Sequence, residues 1–243
     1  MKIFLSALES FGKPICDHFG HQLKWNLMSF YHLKQSVFER VLACSDEMLI
    51  DSGAHSFQKG KTVDWVEYTK KYAAWIKEND CPKIIGYFEM DVDNAIGYER
   101  VLYLRSILEA ASDKIIPVWH KNRGIDEYKR MCQQYAGKIV AITGFRNEDI
   151  KDEQYIMFLK YAKKHGCKVH CLGMTRKEIL DKVPFDYVDS SSWLQRAVFS
   201  KVGNKRVKSS FTRENLRTVV FANYQAGMEM QRHYHRKWGH LNE

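Results

Sequence analysis

The sequence has no apolar run longer than a β-strand, few prolines and no low-complexity segment. Four prolines in 243 residues, with no Ser/Gly-rich stretch, leave no obvious linker, so we expect a single domain. The missing long apolar run excludes a transmembrane helix. The apolar start over residues 2–8 is short and is followed by Glu9. We therefore expect a first barrel strand instead of a signal peptide, and a cytoplasmic protein.

Cysteine pairs of the C-x-x-C type are also missing. The six cysteines are scattered, although Cys167 and Cys171 lie close in sequence to His165 and His170. On a strand, His170 and Cys171 point to opposite faces, which argues against a shared metal site. We expect free thiols in a reducing compartment and no bound metal.

Acidic residues are in the minority. The chain has 38 Lys and Arg against 29 Asp and Glu, a formal net charge of +9. The excess is concentrated over residues 201–217 and again over residues 232–240, and a polyanion such as nucleic acid is the natural partner of such a surface. The residues predicted to contact a nucleic-acid backbone are Lys201, Lys205, Arg206, Lys208, Arg213 and Arg217.

Strand-like and helix-like segments alternate along the chain. The predicted strands cover residues 2–8, 48–54, 83–92, 114–120, 138–145, 168–174 and 185–190. The predicted helices cover residues 23–42, 65–79, 97–111, 125–136, 152–165 and 177–183. This alternation predicts a parallel sheet with crossover helices.

Seven strands and an uncertain eighth favour an α/β fold of the (β/α)8, TIM-like barrel type. No Gly-rich dinucleotide loop follows the first strand, which argues against an open Rossmann sheet. Residues 193–202 either form the eighth strand of the barrel or leave the barrel irregular at its last strand. We expect the barrel over residues 1–200, and a basic segment with a closing helix over residues 201–243.

Three of the predicted strands end in bare acids. These are Asp51, the pair Asp91 and Asp93, and Asp189. A carboxylate at the end of a core strand is unfavourable to desolvate and does not improve packing. Because the carboxyl ends of parallel barrel strands meet at one face, the pattern predicts an enzyme with its site there.

Two carboxylates facing one ligand can divide the chemistry. One attacks a sugar carbon, and the other moves a proton to the leaving group and from the incoming one. We assign these catalytic roles to Asp189 and Asp51, and Gly53 lets the chain turn so that a ligand can approach. Asp186 is the alternative to Asp189 as the nucleophile. The two residues face opposite sides of an alternating strand, and Asp189, as the later residue, lies nearer the mouth of the barrel at the carboxyl ends of its strands.

The neighbouring strand ends are expected to hold a flat base. A carboxylate accepts two hydrogen bonds side by side, as the N1–H and 2-amino edge of a guanine-like base offers, although a metal or a lysine is an alternative partner. Glycines at strand ends allow close backbone approach, with strand–helix packing as the alternative reason for them. The residues expected to bind the base are Asp91, Asp93, His120, Gly144, Phe145, Gly173, Met174, Ser52 and Gly53.

In motif order, residues 1–193 resemble the tRNA-guanine transglycosylase superfamily, most closely its short phage members that insert 7-deazaguanines into DNA. Asp51-Ser52-Gly53 matches the family's general acid/base, and the segment beginning at Asp189 resembles that of its nucleophilic aspartate. Asp91 falls where the family holds the edge of the heterocycle. Residues 118–120, 142–145 and 172–175 resemble further strands of its base pocket.

The resemblance implies base exchange: guanine in a polynucleotide is replaced by a free 7-deazaguanine, such as preQ0, through a covalent aspartyl–sugar intermediate and without a cofactor. The tRNA enzymes carry a zinc-binding C-x-C-x-x-C segment that supports tRNA docking, and this chain has no cysteine after Cys171. We therefore favour DNA over tRNA as the partner, in the host cytoplasm if the chain is phage-encoded. Ser-Gly-Ala-His-Ser also replaces the family's usual Ser-Gly-Gly after Asp51.

Three other functions stay open from the sequence. One is a transglycosylase that acts on tRNA. Another is a metal-dependent barrel hydrolase using His55, Asp91, Asp93, His120 and His170, although the first strand lacks the usual His-x-His. The last is a non-catalytic nucleic-acid-binding subunit, against which the presence of both acids argues. The oligomeric state is not predicted.

Overall fold

Parallel β-strands form the centre of the molecule. The computed structural model describes residues 1–57, 63–143, 150–199, 201–202, 205–206 and 213–241, with the backbone alone at residues 55, 202, 205, 206, 213 and 214. The strands are β1 (Lys2–Leu5), β2 (Trp25–Ser29), β3 (Glu47–Asp51), β4 (Ile84–Phe88), β5 (Ile115–Ile116), β6 (Val118–Trp119), β7 (Ile139–Thr143), β8 (Lys168–Leu172) and β9 (Tyr187–Ser190).

The sheet curls round into a barrel. Its strand order is β5-β4-β3-β2-β1-β9-β8-β7-β6, so its two ends are segments that follow one another in the chain. Pro117, which has no N–H to donate, separates them, while its carbonyl still accepts from the Ala141 N–H at 2.9 Å. With β5 and β6 counted as one strand, eight parallel positions surround the barrel. The predicted TIM-like fold is therefore confirmed.

Helices surround the strands. They are α1 (Gly12–Phe19), α2 (Gln35–Cys44), α3 (Trp65–Asn79), α4 (Asp93–Ile96), α5 (Tyr98–Glu109), α6 (Ile125–Gln134), α7 (Tyr155–Lys164), α8 (Lys177–Leu180), α9 (Ser192–Val198) and α10 (Arg213–Trp238). An antiparallel pair, β10 (Lys201–Val202) and β11 (Lys205–Arg206), lies between α9 and α10. Within the described ranges, no helix is long and apolar enough to cross a membrane.

The hydrophobic core has an inner and an outer layer. In β1, Phe4 belongs to the cluster inside the barrel, whereas Ile3 belongs to a cluster between the strands and the helices. Both are fully buried, because a barrel strand is covered on both faces. This double burial produces the short continuous apolar runs of the sequence.

The prediction for residues 23–42 is wrong in its first part. Residues 25–29 form β2, and the helix begins only at Gln35. Trp25 through Met28 are buried on both faces, so this short stretch has no strand-like alternation to separate it from a helix. β2 is the missing eighth strand.

The alternative eighth strand over residues 193–202 is also wrong. Most of this segment is helix α9, whose buried residues Trp193 and Ala197 lie four apart on one helical face. The last barrel strand, β9, is regular and pairs with β1 over four residues, Lys2↔Tyr187 to Leu5↔Ser190.

Helix α10 closes the barrel against β1. The Gln231 side-chain amide donates to the Ile3 carbonyl at 2.8 Å, and Gly227 allows close approach, since a Cβ there would lie 3.0 Å from the methyls of Leu5. The helix therefore runs antiparallel to β1. At 1.5 Å per residue, Arg217 lies roughly 15 Å beyond Gly227, toward the carboxyl end of the strands.

Candidate active site

The predicted site residues follow strands whose carboxyl ends share one face of the barrel. Asp51 is the last residue of β3, and Asp189 lies in β9. Asp91 comes shortly after β4, and His120 directly follows β6. The parallel arrangement therefore brings all four residues to the same mouth, although they are distant in sequence.

Asp51 is held in a tight turn. Its Oδ2 accepts from the Gly53 N–H at 3.1 Å, and Gly53 has φ +75°, a conformation that favours glycine. The hydroxyl of Tyr68, in helix α3, donates to the Ser52 carbonyl at 2.7 Å, and the Ser52 side chain is buried. The turn is thus fixed by helix α3 as well as by its own backbone.

The environment of Asp51 favours its protonated form. Burial raises the pKa of Asp51 from 3.8 to about 7, against the opposing Gly53 hydrogen bond, and the negative charges of Asp189, Asp91 and Glu9 raise it further. Each of these three carboxylates is therefore close enough to Asp51 to act on it. At neutral pH, Asp51 populates both protonation states, as a group that donates and then accepts a proton requires.

Asp189 makes different contacts. Its Oδ1 accepts from the Gly173 N–H at 2.8 Å and pairs with His170 Nε2 at 3.0 Å. Its side chain is 15% exposed, so it is accessible from the mouth. The competing Asp186 lies at the opposite end of β9, where its Oδ2 accepts from the Val169 N–H at 2.8 Å.

Of the other residues predicted to bind the base, Gly173 lies at the mouth and Met174 does not. Gly173, with φ +64°, lies at the mouth and directs its N–H to Asp189. Met174 is instead buried in the outer hydrophobic cluster with residues of α8, so its side chain does not reach the mouth. This corrects the prediction for Met174, whose apolar side chain gains more from the core. Gly144 and Phe145 lie outside the described residues.

Asp91 and His120 form a close pair. His120 Nε2 is 2.6 Å from Asp91 Oδ1, and the side chains are 20% and 29% exposed, respectively. Burial lowers the pKa of His120, but the hydrogen bond and negative charge of Asp91 outweigh it and raise the pKa to about 8. At neutral pH, the mouth therefore presents a carboxylate beside a protonated imidazole.

Sequence reasoning missed the arginine behind this pair. Arg123 donates through Nε to Asp93 Oδ2 at 3.0 Å, and its Nη2 lies 3.5 Å from Asp91 Oδ1. Burial raises the pKa of Asp93, but the bonds from Arg123 and Asn122 outweigh it and leave the pKa below 3.8. Asp93 is thus a buried anchor for Arg123.

Glu89 completes the charge network beneath the mouth. It is fully buried and accepts from Arg123 at 3.0 Å, from Arg105 at 2.5 Å and from the Val118 N–H at 2.7 Å. The pairing satisfies a carboxylate that would otherwise be strongly unfavourable in the interior. Its position two residues before Asp91 is the signal that sequence reasoning passed over.

A metal is the alternative occupant of this network. Ligand atoms of Asp91, Asp93 and His120 all lie within 4.8 Å of one another, a spacing that a metal ion could bridge. However, the guanidinium of Arg123 already contacts both carboxylates. His170, a further ligand of the predicted hydrolase, contacts Asp189 instead, and the side chain of His55 lies outside the described part.

Glu9 is another residue that sequence reasoning missed. It follows Ala7, which with φ +70° is the one non-glycine residue of the described ranges in the left-handed region. That turn brings Glu9 back to the mouth, where its carboxylate accepts from the Ser29 N–H. Burial raises the pKa of Glu9 against that hydrogen bond.

The predicted nucleic-acid contacts are partly described. Lys201 and Arg217 are exposed, and the Lys201 carbonyl accepts from the Asn223 amide at 2.7 Å, which fixes β10 to α10. Because Arg217 lies beyond the end of β1, this basic surface is on the mouth side of the barrel. The side chains of Lys205, Arg206 and Arg213, and all of Lys208, lie outside the described part.

Fold and site together define an α/β barrel with a cluster of carboxylates at its carboxyl-end mouth. Comparisons with protein-family models, curated proteins and solved structures gave no match. The function therefore has to be inferred from the chemistry of these residues.

Proposed function

We propose that the chain is a base-exchange transglycosylase that replaces guanine in DNA by a free 7-deazaguanine of the preQ0 type. The observation that carries the proposal is that two different carboxyl groups lie at one mouth: Asp51, with a pKa raised to about 7, and Asp189, an accessible carboxylate in contact with the Gly173 N–H and His170 Nε2. Two carboxyl groups in different environments suit different chemical roles.

In the proposed reaction, a guanine nucleotide is first flipped out of the stack into the barrel mouth. Asp189 forms a bond to C1′ as the C1′–N9 bond breaks, and protonated Asp51 gives its proton to N9 of the leaving guanine. Asp51 then takes the N9 proton of the incoming base, whose N9 displaces the aspartate from C1′. One N-glycosidic bond replaces another, so no cofactor is consumed.

Asp91 and His120 are proposed to hold the edge of the base. Asp91 supplies carboxylate oxygen for the N1–H and 2-amino donors of guanine, and the protonated His120, 2.6 Å away, fixes its position. An adenine edge has no such pair of donors, so the site should favour guanine-like bases.

DNA is the proposed polymer. Exposed Lys201 and Arg217 on the mouth side supply positive charge for phosphates. The sequence also lacks the zinc-binding segment that supports tRNA docking in the tRNA enzymes that the chain resembles.

Incubating the protein with radiolabelled guanine and either duplex DNA or tRNA tests the exchange activity and the choice of polymer. Label in DNA supports the proposal, label confined to tRNA corrects the substrate, and label in neither refutes the activity. Asp51→Asn should stop incorporation.

A metal-dependent hydrolase is the second candidate, favoured by the close ligand atoms of Asp91, Asp93 and His120. The contacts of Arg123 with both carboxylates speak against it, because they already balance the charge that a cation would balance. Metal analysis of the purified protein separates the two functions. A stoichiometric, tightly bound divalent ion would favour the hydrolase.

A further inference from the structure

A fully buried histidine lies directly beside the proposed nucleophile. His170 in β8 is 0% exposed, and its ring packs inside the barrel against Phe88, with centroids 5.0 Å apart, and near Phe4. Its Nε2 is 3.0 Å from Asp189 Oδ1. An imidazole in such apolar surroundings has one strong partner, the carboxylate.

The contacts of His170 fix its tautomer. Nδ1 is inaccessible to solvent and has no hydrogen-bond partner within the described part of the chain. A proton on Nδ1 would be a buried, unsatisfied donor, which is unfavourable, whereas a proton on Nε2 is accepted by Asp189. The proton of His170 is therefore on Nε2, which donates it to Asp189.

Asp189 consequently receives two donors on the same oxygen. The Gly173 N–H lies 2.8 Å from Oδ1 on one side, and His170 Nε2 lies 3.0 Å from it on the other. Within the described ranges, no hydrogen bond reaches Oδ2. The two donors hold the carboxylate plane in one orientation and leave its second oxygen available.

We propose that His170 is a positioning residue that, with the Gly173 N–H, fixes Asp189 so that Oδ2 is the attacking atom. This inference rests on the proposed transglycosylase function. Oδ2 bonds to C1′ while the C1′–N9 electron pair leaves with guanine, and Oδ1 becomes the carbonyl oxygen of the ester. In the return step, the C1′–Oδ2 electron pair goes back to the carboxylate as N9 of the incoming base bonds to C1′.

The donors on Oδ1 act differently in the two steps. A hydrogen bond to an ionised oxygen is stronger than one to a neutral carbonyl. The His170 hydrogen bond therefore strengthens as the aspartate leaves C1′, and it assists breakdown of the adduct more than its formation. Removing this donor should make the covalent adduct accumulate.

Two variants separate positioning from packing. His170→Phe keeps a ring in the barrel but removes the donor, and His170→Gln keeps an N–H at a similar reach. We expect His170→Phe to slow breakdown of the adduct by about 10- to 100-fold, the effect of losing a hydrogen bond to a charged group. His170→Gln should restore most of that rate, and the matched packing control, Phe88→Leu, should change formation and breakdown alike.

The adduct is formed with guanine-containing DNA, and its breakdown is followed by mass spectrometry after 7-deazaguanine is added. Wild-type breakdown in His170→Phe, or equal losses in the Phe and Gln variants, would overturn the positioning role. A 15N NMR spectrum of histidine-labelled protein gives a readout independent of activity. We expect the spectrum to show the His170 proton on Nε2 and no proton on Nδ1.

The two measurements also separate the two proposals. If the wild-type protein forms no adduct while NMR shows the Nε2–H tautomer, the exchange function fails and the His170–Asp189 geometry stands. If the adduct forms but His170 carries its proton on Nδ1 and not on Nε2, the positioning role fails and the exchange function stands.

Discussion

Replacing Asp51 by Asn should stabilise the fold at neutral and alkaline pH while it removes activity. The barrel raises the pKa of this acid from 3.8 to about 7, chiefly through burial and further through the charges of Asp189, Asp91 and Glu9. Such a group contributes stability that is complete below its unfolded pKa, near 4, and is lost as the pH rises through about 7. Asparagine keeps the shape of the side chain but does not ionise.

The magnitude follows from the size of the shift. The pKa of Asp51 is raised by about three, and each pKa unit is equivalent to about 1.36 kcal/mol. Above about pH 8, Asp51→Asn should therefore have a free energy of unfolding at most about 4 kcal/mol higher than that of wild type. Asp51 is partly exposed, so solvent screening reduces this upper limit. Near pH 4, where the folded wild type carries a protonated Asp51, the two proteins should be nearly equal in stability.

Urea unfolding followed by tryptophan fluorescence at acidic and alkaline pH measures the difference. Asp17→Asn, at an exposed carboxylate, is the matched control, and its stability should follow the wild type at both pH values. Base exchange by Asp51→Asn should fall by about 10²- to 10⁴-fold, the usual loss when a general acid/base is removed. An Asn variant that is less stable than wild type at alkaline pH would refute the assigned burial and charge of Asp51.

Three further predictions concern the charge network and the basic surface. Arg123→Met should lower the unfolding free energy by about 3–5 kcal/mol, because it removes the guanidinium from buried Asp93 and leaves buried Glu89 with Arg105 alone; urea unfolding measures this. Asp91→Asn should lower the pKa of His120 from about 8 to below its usual 6.5, because burial and the charge of Arg123 are then opposed only by the more weakly acting charge of Asp93. An unchanged titration in histidine NMR would contradict this. Lys201→Ala should weaken binding to DNA of any sequence and reduce the salt slope by about 1, whereas an unchanged slope would remove it from the interface.

The barrel could be predicted because its strands leave a strong pattern. Short apolar runs ending in acids, alternating with amphipathic helices, indicate a parallel sheet with a functional carboxyl end. β2 escaped prediction for a physical reason: residues 25–28 are buried on both faces, so the stretch lacks alternation. The predicted helix over residues 23–42 therefore includes β2, and the sequence offers only residues 193–202 as a candidate for the eighth strand.

The acidic residues of the candidate site could be predicted from the sequence, but the residues that bind and position them could not. Asp51, Asp91 and Asp189 stand out because a bare carboxylate after an apolar strand has no structural reason to be there. Arg123 and His170 have no such signal in sequence, because the carboxylates that Arg123 binds lie 30 or more positions away and the partner of His170 lies on another strand. Contacts between separate strands are set by the closed barrel, and no local pattern encodes them.

The most direct test of the account is to locate the covalent bond. The protein is incubated with guanine-containing duplex DNA in the absence of an incoming base, quenched, digested and examined by mass spectrometry. The proposed mechanism predicts a nucleic-acid adduct on the peptide that carries Asp189, and no adduct in Asp189→Ala. An adduct that survives in Asp189→Ala, or base exchange that proceeds in that variant, would contradict it.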